Sequence, residues 1–278
     1  MALCDRYGPT LDEPVASVVR YALLGTGKRL RGLLVCAAYR AAGGSDDASA
    51  LAAAVEVVHA YSLIHDDLPC MDDDDVRRGR PTTHRVFGVR AATVAGVSMV
   101  PLAAAAAFES ISALGLPADV GGRVVAELMR ASGASGMVGG QLLDLEGEGN
   151  PLDVLELERI HRGKTGALIR AAAVVGGLAA RASERQLAAL GTFGESTGIA
   201  FQIVDDVLDV TATTERLGKT AGRDRDLGKS TYPALLGLES AAERARSLIA
   251  HGRSALVSAG LLSPELDALA AFAVERER

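Results

Sequence analysis

Long stretches dominated by Ala, Leu and Val run through this chain, with no run of alternating apolar and polar residues, and Gly, Pro or Asp stand where helices should start or stop. Val15 to Leu24 and Leu30 to Ala42 read as helices on either side of a Gly25-Thr26-Gly27 break. Gly43-Gly44 ends the second, and Asp46-Asp47 starts the next, which runs to Asp66-Asp67. Pro69, Gly79-Arg80-Pro81 and Gly88 mark an irregular stretch before an apolar helix, Ala91 to Phe108. Asp119 to Gly149 holds another helix, closed by an acidic, Gly-rich turn ending in Asn150-Pro151. Leu152 to Ala182 and Ser183 to Leu208 give two more. Thr211 to Ser230 is polar and reads as a partly ordered loop, and Thr231 to His251 and Pro264 to Glu277 close the chain as helices.

Composition narrows this to one architecture. The 278 residues are 49% apolar but only 4% aromatic, with no Trp, which favours closely spaced helices. No low-complexity linker divides the chain, so residues 1–278 read as a single all-α domain, a helical bundle. A net charge of -6 gives no reason to expect nucleic acid or an anionic membrane as partner. Cys4, Cys36 and Cys70 are odd in number and widely spaced, which fits a reducing, cytoplasmic setting. Asp5, Arg6 and Asp12 near the start argue against a secretory signal. Ala91 to Phe108 reaches only the short limit of a membrane span, about 17 to 20 residues. Thr93, Ser98 and Pro101 interrupt it and five alanines weaken it, so it reads as a buried or interface helix rather than an integral membrane segment.

The candidate chemistry lies in two near-repeats, Asp66-Asp67-Leu68-Pro69-Cys70-Met71-Asp72 and Asp205-Asp206-Val207-Leu208-Asp209. Their approaches match as well: Ala60-Tyr61-Ser62-Leu63-Ile64-His65 precedes the first, and Ala200-Phe201-Gln202-Ile203-Val204 precedes the second with one residue fewer. Carboxylates at that density repel one another unless a cation neutralises them, and hard oxygen donors point to Mg²⁺. Asp205 and Asp209 share a helix face, whereas Asp66 and Asp72 converge only if Pro69 breaks the regular turn. Cations accompany both clusters: Lys28, Arg29 and Arg31 after the Gly-Thr-Gly break; Arg77, Arg78 and Arg80 after the first cluster; and Lys219 and Lys229 around Asp224 after the second. Lys164-Thr165 follows Gly163, a residue that disfavours a regular helix by about 1 kcal/mol and marks a kink. Such a set suits a diphosphate.

Taken in order, these segments resemble the trans-type polyprenyl diphosphate synthases, and within them the bacterial farnesyl diphosphate synthases. The resemblance rests on Leu23 to Arg31, His59 to Pro69, Arg77-Arg78-Gly79, Gly139-Gly140-Gln141, Lys164 to Leu168, Phe201 to Asp206 and Leu227 to Pro233. It implies an all-α fold around a central active-site cavity, a homodimer, and head-to-tail condensation of isopentenyl diphosphate with dimethylallyl or geranyl diphosphate. It implies Mg²⁺ held by Asp66, Asp67, Asp72, Asp205, Asp206 and Asp209, three ions per site once a diphosphate is bound. By the same resemblance Arg77, Lys164, Lys219 and Lys229 hold the allylic diphosphate. Lys28, Arg31, His59 and Arg78 hold isopentenyl diphosphate. Lys164, Thr165 and Gln202 are catalytic: Thr165, Gln202 and the carbonyls around Lys164 face the allylic cation, where oxygen dipoles stabilise positive charge. Gln141, Asp144 and Asp224 are expected to support the ligands.

Tyr61 and Ser62 lie five and four residues before Asp66, one turn deeper, where a growing hydrocarbon tail ends. An aromatic there, with the two-residue expansion at Pro69-Cys70, resembles enzymes that stop at fifteen carbons. Thr26 and Gly32 depart from the family's usual Gly and Pro. The segment before Val15 is short, so the first helix is expected to be missing or frayed. A geranylgeranyl or geranyl diphosphate synthase is the nearest alternative. A class I terpene cyclase would have no use for Lys28, Arg31 and Arg78, and a non-catalytic partner subunit would not keep both aspartate clusters.

Overall fold

The computed structural model describes residues 2–211 and 229–276. Lys219, Asp224 and most of the Thr211 to Ser230 loop lie outside the described residues. Helix α1 (Ala2–Tyr7) leads through a 3₁₀ turn to α2 (Val15–Leu23) and α3 (Leu30–Ala41). Next come α4 (Ser49–Asp66), a ribbon of β1 (Val76–Arg77) and β2 (Arg80–Pro81), α5 (Thr83–Phe87) and α6 (Val89–Ala113). The second half holds α7 (Ala118–Ser132), α8 (Met137–Gly147), α9 (Val154–His161), a π-helical turn (Arg162–Gly166), α10 (Ala167–Ala179) and α11 (Glu184–Thr211). Beyond the undescribed segment lie α12 (Tyr232–Leu236), α13 (Leu238–Ala259) and α14 (Pro264–Glu275).

Local chemistry explains several of these boundaries. Asp153 and Glu156 cap α9 reciprocally: the Asp153 carboxylate accepts from Glu156 N at 2.8 Å and the Glu156 carboxylate accepts from Asp153 N at 2.9 Å. Ser263 accepts from Leu266 N at 3.3 Å, with Pro264 at the first position of α14. Gly260, in the left-handed region, ends α13.

Helix α10 is the axis of the bundle, packed against α3, α7 and α11 and buried except at Ala167 and Arg170. A Cβ on Gly176 would come within 2.4 Å of the Val35 carbonyl, so backbones of α10 and α3 nearly touch there. Close spacing of this kind is what a core of small residues permits. One continuous cluster of buried apolar residues extends from Val18 to Ala273. Helix α6 is long and apolar enough to cross a membrane by length and composition alone, but it packs on α2, α4, α5 and α7 and gives Ala92, Ala95, Met99 and Ala103 to the core.

Five expectations need correction. The segment Asp119 to Gly149 is two helices, separated by a turn in which Gly136 N donates to Gly133 O. Leu152 to Ala182 is interrupted by the π turn, and Thr231 to His251 is broken at Gly237. The N-terminal segment forms a short helix held to α6, where the Tyr7 hydroxyl donates to Glu109 and Arg6 pairs with the same carboxylate at 2.6 Å. The stretch after the first cluster contains a two-stranded ribbon whose turn residues, Arg78 and Gly79, both have positive φ.

Candidate active site

Helix α4 ends at Asp66, and the chain then folds back so that Asp72 N donates to the Asp66 carbonyl at 3.0 Å. This closure across Pro69 brings together two carboxylates six residues apart. Lys164 Nζ lies 3.4 Å from Asp66 Oδ1 and 4.0 Å from Asp72 Oδ2, so both acids face the same ammonium. Asp67 turns away, is buried, and takes a hydrogen bond from Arg77 Nε. Burial pushes its carboxyl up to about 7, although Arg77 pulls in the other direction. Arg77 also lies 3.4 Å from Asp66 and 3.5 Å from Asp74.

The π turn supplies the link across the cavity. Lys164 reaches α8 and α4, with Asp144 at 2.7 Å, while the Thr165 hydroxyl donates to Gln202 Oε1 on α11 at 2.9 Å. Gln202 Nε2 then donates to Asp206 Oδ1 at 3.1 Å, and Asp206 Oδ2 accepts from Tyr232 N at 3.1 Å. A π turn leaves backbone carbonyls outside the regular helical ladder and recurs at functional sites. Here it is fitted against Gly140 of α8, whose added Cβ would stand 2.0 Å from Lys164 N. The irregularity expected at Gly163 is present as this π turn, which packs closely against Gly140.

Lys229 completes the first cluster. Its Nζ lies 3.0 Å from Asp72, 3.0 Å from Asp144 and 3.5 Å from Glu148. Burial alone would raise the Asp144 carboxyl, but the Lys164 and Lys229 ammoniums bring it down to about 2. Burial works against charge on Lys164 too, and Asp66, Asp144 and Asp72 more than offset it, raising its pKa. Asp66 likewise stays below the usual carboxylate range despite burial, because of Lys164 and Arg77. Asp66, Asp144 and Lys164 are therefore charged at neutral pH.

On α11, Asp205 pairs with Arg276 at 2.8 Å, and the Arg276 guanidinium lies over the Phe201 ring. Asp206 and Asp209 are buried. Among the described residues no three His, Cys, Asp or Glu side chains are gathered tightly enough to hold a metal as they stand. The donors nevertheless fit a hard divalent cation: Asp66 and Asp72 are oxygen ligands already aimed at one positive charge, the Lys164 ammonium.

The residues predicted for isopentenyl diphosphate are brought together only in part. Arg78 donates to the Thr26 carbonyl at 3.1 Å and meets His59 Nε2 at 3.3 Å. His59 is held well below the usual imidazole range by burial, then by Arg31 and Arg78. Burial brings Arg31 down to about 10, and its Nε makes no hydrogen bond. An open cleft of about 590 Å³ is lined by His59, Arg77, Arg78, Arg29 and Arg80. Lys28 and Arg31 do not line it; Lys28 Nζ lies 5.6 Å from the Phe272 ring and 6.0 Å from Phe201. Tyr61 packs edge-on against His65 with ring centroids 4.9 Å apart, and Ser62 donates to the His59 carbonyl at 2.8 Å.

Glu56 and Glu148 carry no sequence signal that marks them as site residues, whereas Arg29 stands among the cations after the Gly-Thr-Gly break. Glu56 meets Gly32 across 24 residues, and Glu148 meets Lys229 at 3.5 Å from a distant part of the chain, beyond any local signal.

The polyprenyl synthetase family model matches residues 12–256. The chain is 48% identical to the farnesyl diphosphate synthase of Escherichia coli strain K12, over 97% of this chain and 92% of that one. It is also 48% identical to geranylgeranyl pyrophosphate synthase 12 of Arabidopsis thaliana, a chloroplastic protein, over 89% of this chain and 70% of the relative. Among solved structures, the Helicobacter pylori geranyltransferase complexed with magnesium and isoprenyl diphosphate superposes with a TM-score of 0.81 at 30% identity, covering 99% of this chain and 94% of that one.

Proposed function

The chain belongs to the polyprenyl synthetase family, and from that membership we propose a prenyltransferase that condenses isopentenyl diphosphate head-to-tail with dimethylallyl or geranyl diphosphate to give farnesyl diphosphate. One observation carries the site assignment: adjacent residues of the π turn touch both acidic walls, Lys164 at Asp66 and Thr165 through Gln202 to Asp206. A diphosphate between those carboxylate walls needs cations between it and them, which Lys164 and bound metal would supply.

Asp66, Asp72, Asp205 and Asp209, with Asp67 and Asp206 supporting, would hold magnesium, three ions per site. When bound, magnesium neutralises charge and supplies Lewis acidity at the departing diphosphate. Arg77, Lys164, Lys219 and Lys229 hold that diphosphate. Thr165, Gln202 and the carbonyls of the π turn face the allylic cation, whose positive charge they stabilise by fixed dipoles. His59, Arg78, Arg31 and Lys28 receive the isopentenyl diphosphate; the cationic cleft supports the placement of His59 and Arg78, which line it. Its double bond attacks C1 of the cation, a carbon–carbon bond forms, and a proton is lost.

Tyr61, braced by His65, closes the tail cavity at fifteen carbons. A homodimer is supported by a stripe on α6 in which Val94, Val97, Pro101, Ala105 and Phe108 are exposed at helical spacing. The single-domain reading is supported by the continuous core, and the reducing cytoplasmic setting by three free thiols. Incubation with Mg²⁺ and each diphosphate separately and together tests the reaction. Product is expected only when both are present. Consumption of the allylic diphosphate alone would mark a cyclase, and no turnover would mark a partner subunit.

A further inference from the structure

The cleft beside Arg78 contains one carboxylate that anion binding does not explain. Glu56 is buried one turn before His59, in a wall otherwise made cationic by Arg29, Arg77, Arg78 and Arg80. Asp67, the other acid there, is paired with Arg77. A buried negative charge opposes a diphosphate, so its contacts identify what it contributes.

Glu56 Oε1 accepts the Gly32 N–H at 2.8 Å, and Oε2 lies 3.6 Å from Arg29 Nη1. Gly32 is the third residue of α3, so its N–H belongs to the helix-start donors that have no partner within the helix. A carboxylate there also complements the positive end of the helix dipole. Arg29, in the left-handed region at φ 52, donates through Nη2 to the Leu23 carbonyl at 2.8 Å and the Gly25 carbonyl at 2.7 Å. Glu56 thus ties α4 to the first turn of α3 and, through Arg29, to the end of α2 and the loop after it. Lys28 and Arg31 lie within and beside the tied residues. A proline at position 32 would lack the donor.

We propose that Glu56 is a positioning residue for isopentenyl diphosphate: by capping α3 and anchoring Arg29 it fixes the loop that presents Lys28 and Arg31. The inference rests on the reading of Lys28, Arg31, His59 and Arg78 as that substrate's site.

Steady-state kinetics with each substrate varied separately, on the full chain, test it. Glu56→Ala and Arg29→Met are each expected to raise KM for isopentenyl diphosphate about tenfold, with kcat and the allylic KM within about twofold of wild type. Glu56→Gln keeps an oxygen acceptor for the Gly32 N–H and is expected to recover part of that loss. An unchanged isopentenyl KM, a parallel rise in both KM values, or a Glu56→Gln as impaired as Glu56→Ala would overturn the proposal. Should Glu56→Ala fail to fold, Arg29→Met decides alone. Arg78→Gln separates the two levels. If it leaves the isopentenyl KM unchanged, the site reading itself falls; if it raises that KM while Arg29→Met does not, only the positioning role falls.

Discussion

Replacing Gly140 by alanine tests how far the chemistry depends on the seating of the π turn against α8. The added Cβ would lie 2.0 Å from Lys164 N, 2.5 Å from the Gly163 carbonyl carbon and 2.7 Å from Lys164 Cα. Ordinary contact begins near 3.4 Å, so the two backbones must separate by about 1.4 Å at the closest point. The neighbours are main-chain atoms, which cannot rotate away. Asp144 lies one turn further along α8, so the 2.7 Å Lys164–Asp144 contact and the approach of Lys164 to Asp66 are displaced together. Misplacement of about 1 Å costs on the order of 100-fold in rate, and overpacking of a close contact costs about 1 to 3 kcal/mol of stability. At about 2 to 4 °C per kcal/mol for a chain near this size, Tm is expected to fall by several degrees. Steady-state kcat and thermal unfolding of Gly140→Ala measure both. Gly122→Ala on α7 is the control, because nothing lies within 4 Å of its added Cβ. There activity should be unchanged and stability equal or higher by up to about 1 kcal/mol. A Gly140→Ala enzyme with kcat within threefold of wild type would refute the reasoning.

Tyr61→Ala removes the ring braced on His65 and is expected to shift products beyond fifteen carbons; chromatography of products labelled from isopentenyl diphosphate with an unchanged length distribution would contradict that floor. His161 is buried and packed at a tilt against Tyr232, and burial lowers its pKa to about 4. The folded state therefore binds fewer protons than the unfolded state between pH 6.5 and 4, and stability is lost as pH falls through that window. At 1.36 kcal/mol per unit the loss is about 3 kcal/mol at most, and denaturant unfolding of His161→Phe should show a flatter profile from pH 7 to 4.5. Asp144→Asn removes the acid shared by Lys164 and Lys229 and is expected to cut kcat more than 10-fold while stability falls by about 1 to 3 kcal/mol, both read on the same preparation.

The helices bounded by strong punctuation were legible in the sequence: α2 and α3 flank the Gly25-Thr26-Gly27 break, and α14 begins at Pro264. The break between α7 and α8 is marked by Ser132-Gly133 and Ser135-Gly136, a turn signal that reading the segment as one helix passes over. The ribbon at Arg78-Gly79 was hidden for a different reason: four strand residues carry almost no periodicity. In the site, Lys164, Thr165 and the aspartates announced themselves by type and spacing. Their partners did not. Lys229 meets Asp72 across 157 residues, and Glu56 meets Gly32 across 24, contacts set by helix packing rather than by any local pattern. Sequence reading also treated Lys28 and Arg78 as one group of cations, whereas the structure puts Arg78 on the cleft and Lys28 against Phe272.

The central claim is that the acidic walls on α4 and α11 act as one clamp on a diphosphate. Calorimetric titration of a non-reactive allylic diphosphate analogue, with and without Mg²⁺, into the wild-type chain, Asp66→Asn and Asp205→Asn tests it directly. Both substitutions are expected to weaken Mg²⁺-dependent binding by about 10-fold or more, against a wild-type affinity that collapses without the metal. Retention of wild-type affinity by either variant, or binding indifferent to Mg²⁺, would contradict the clamp.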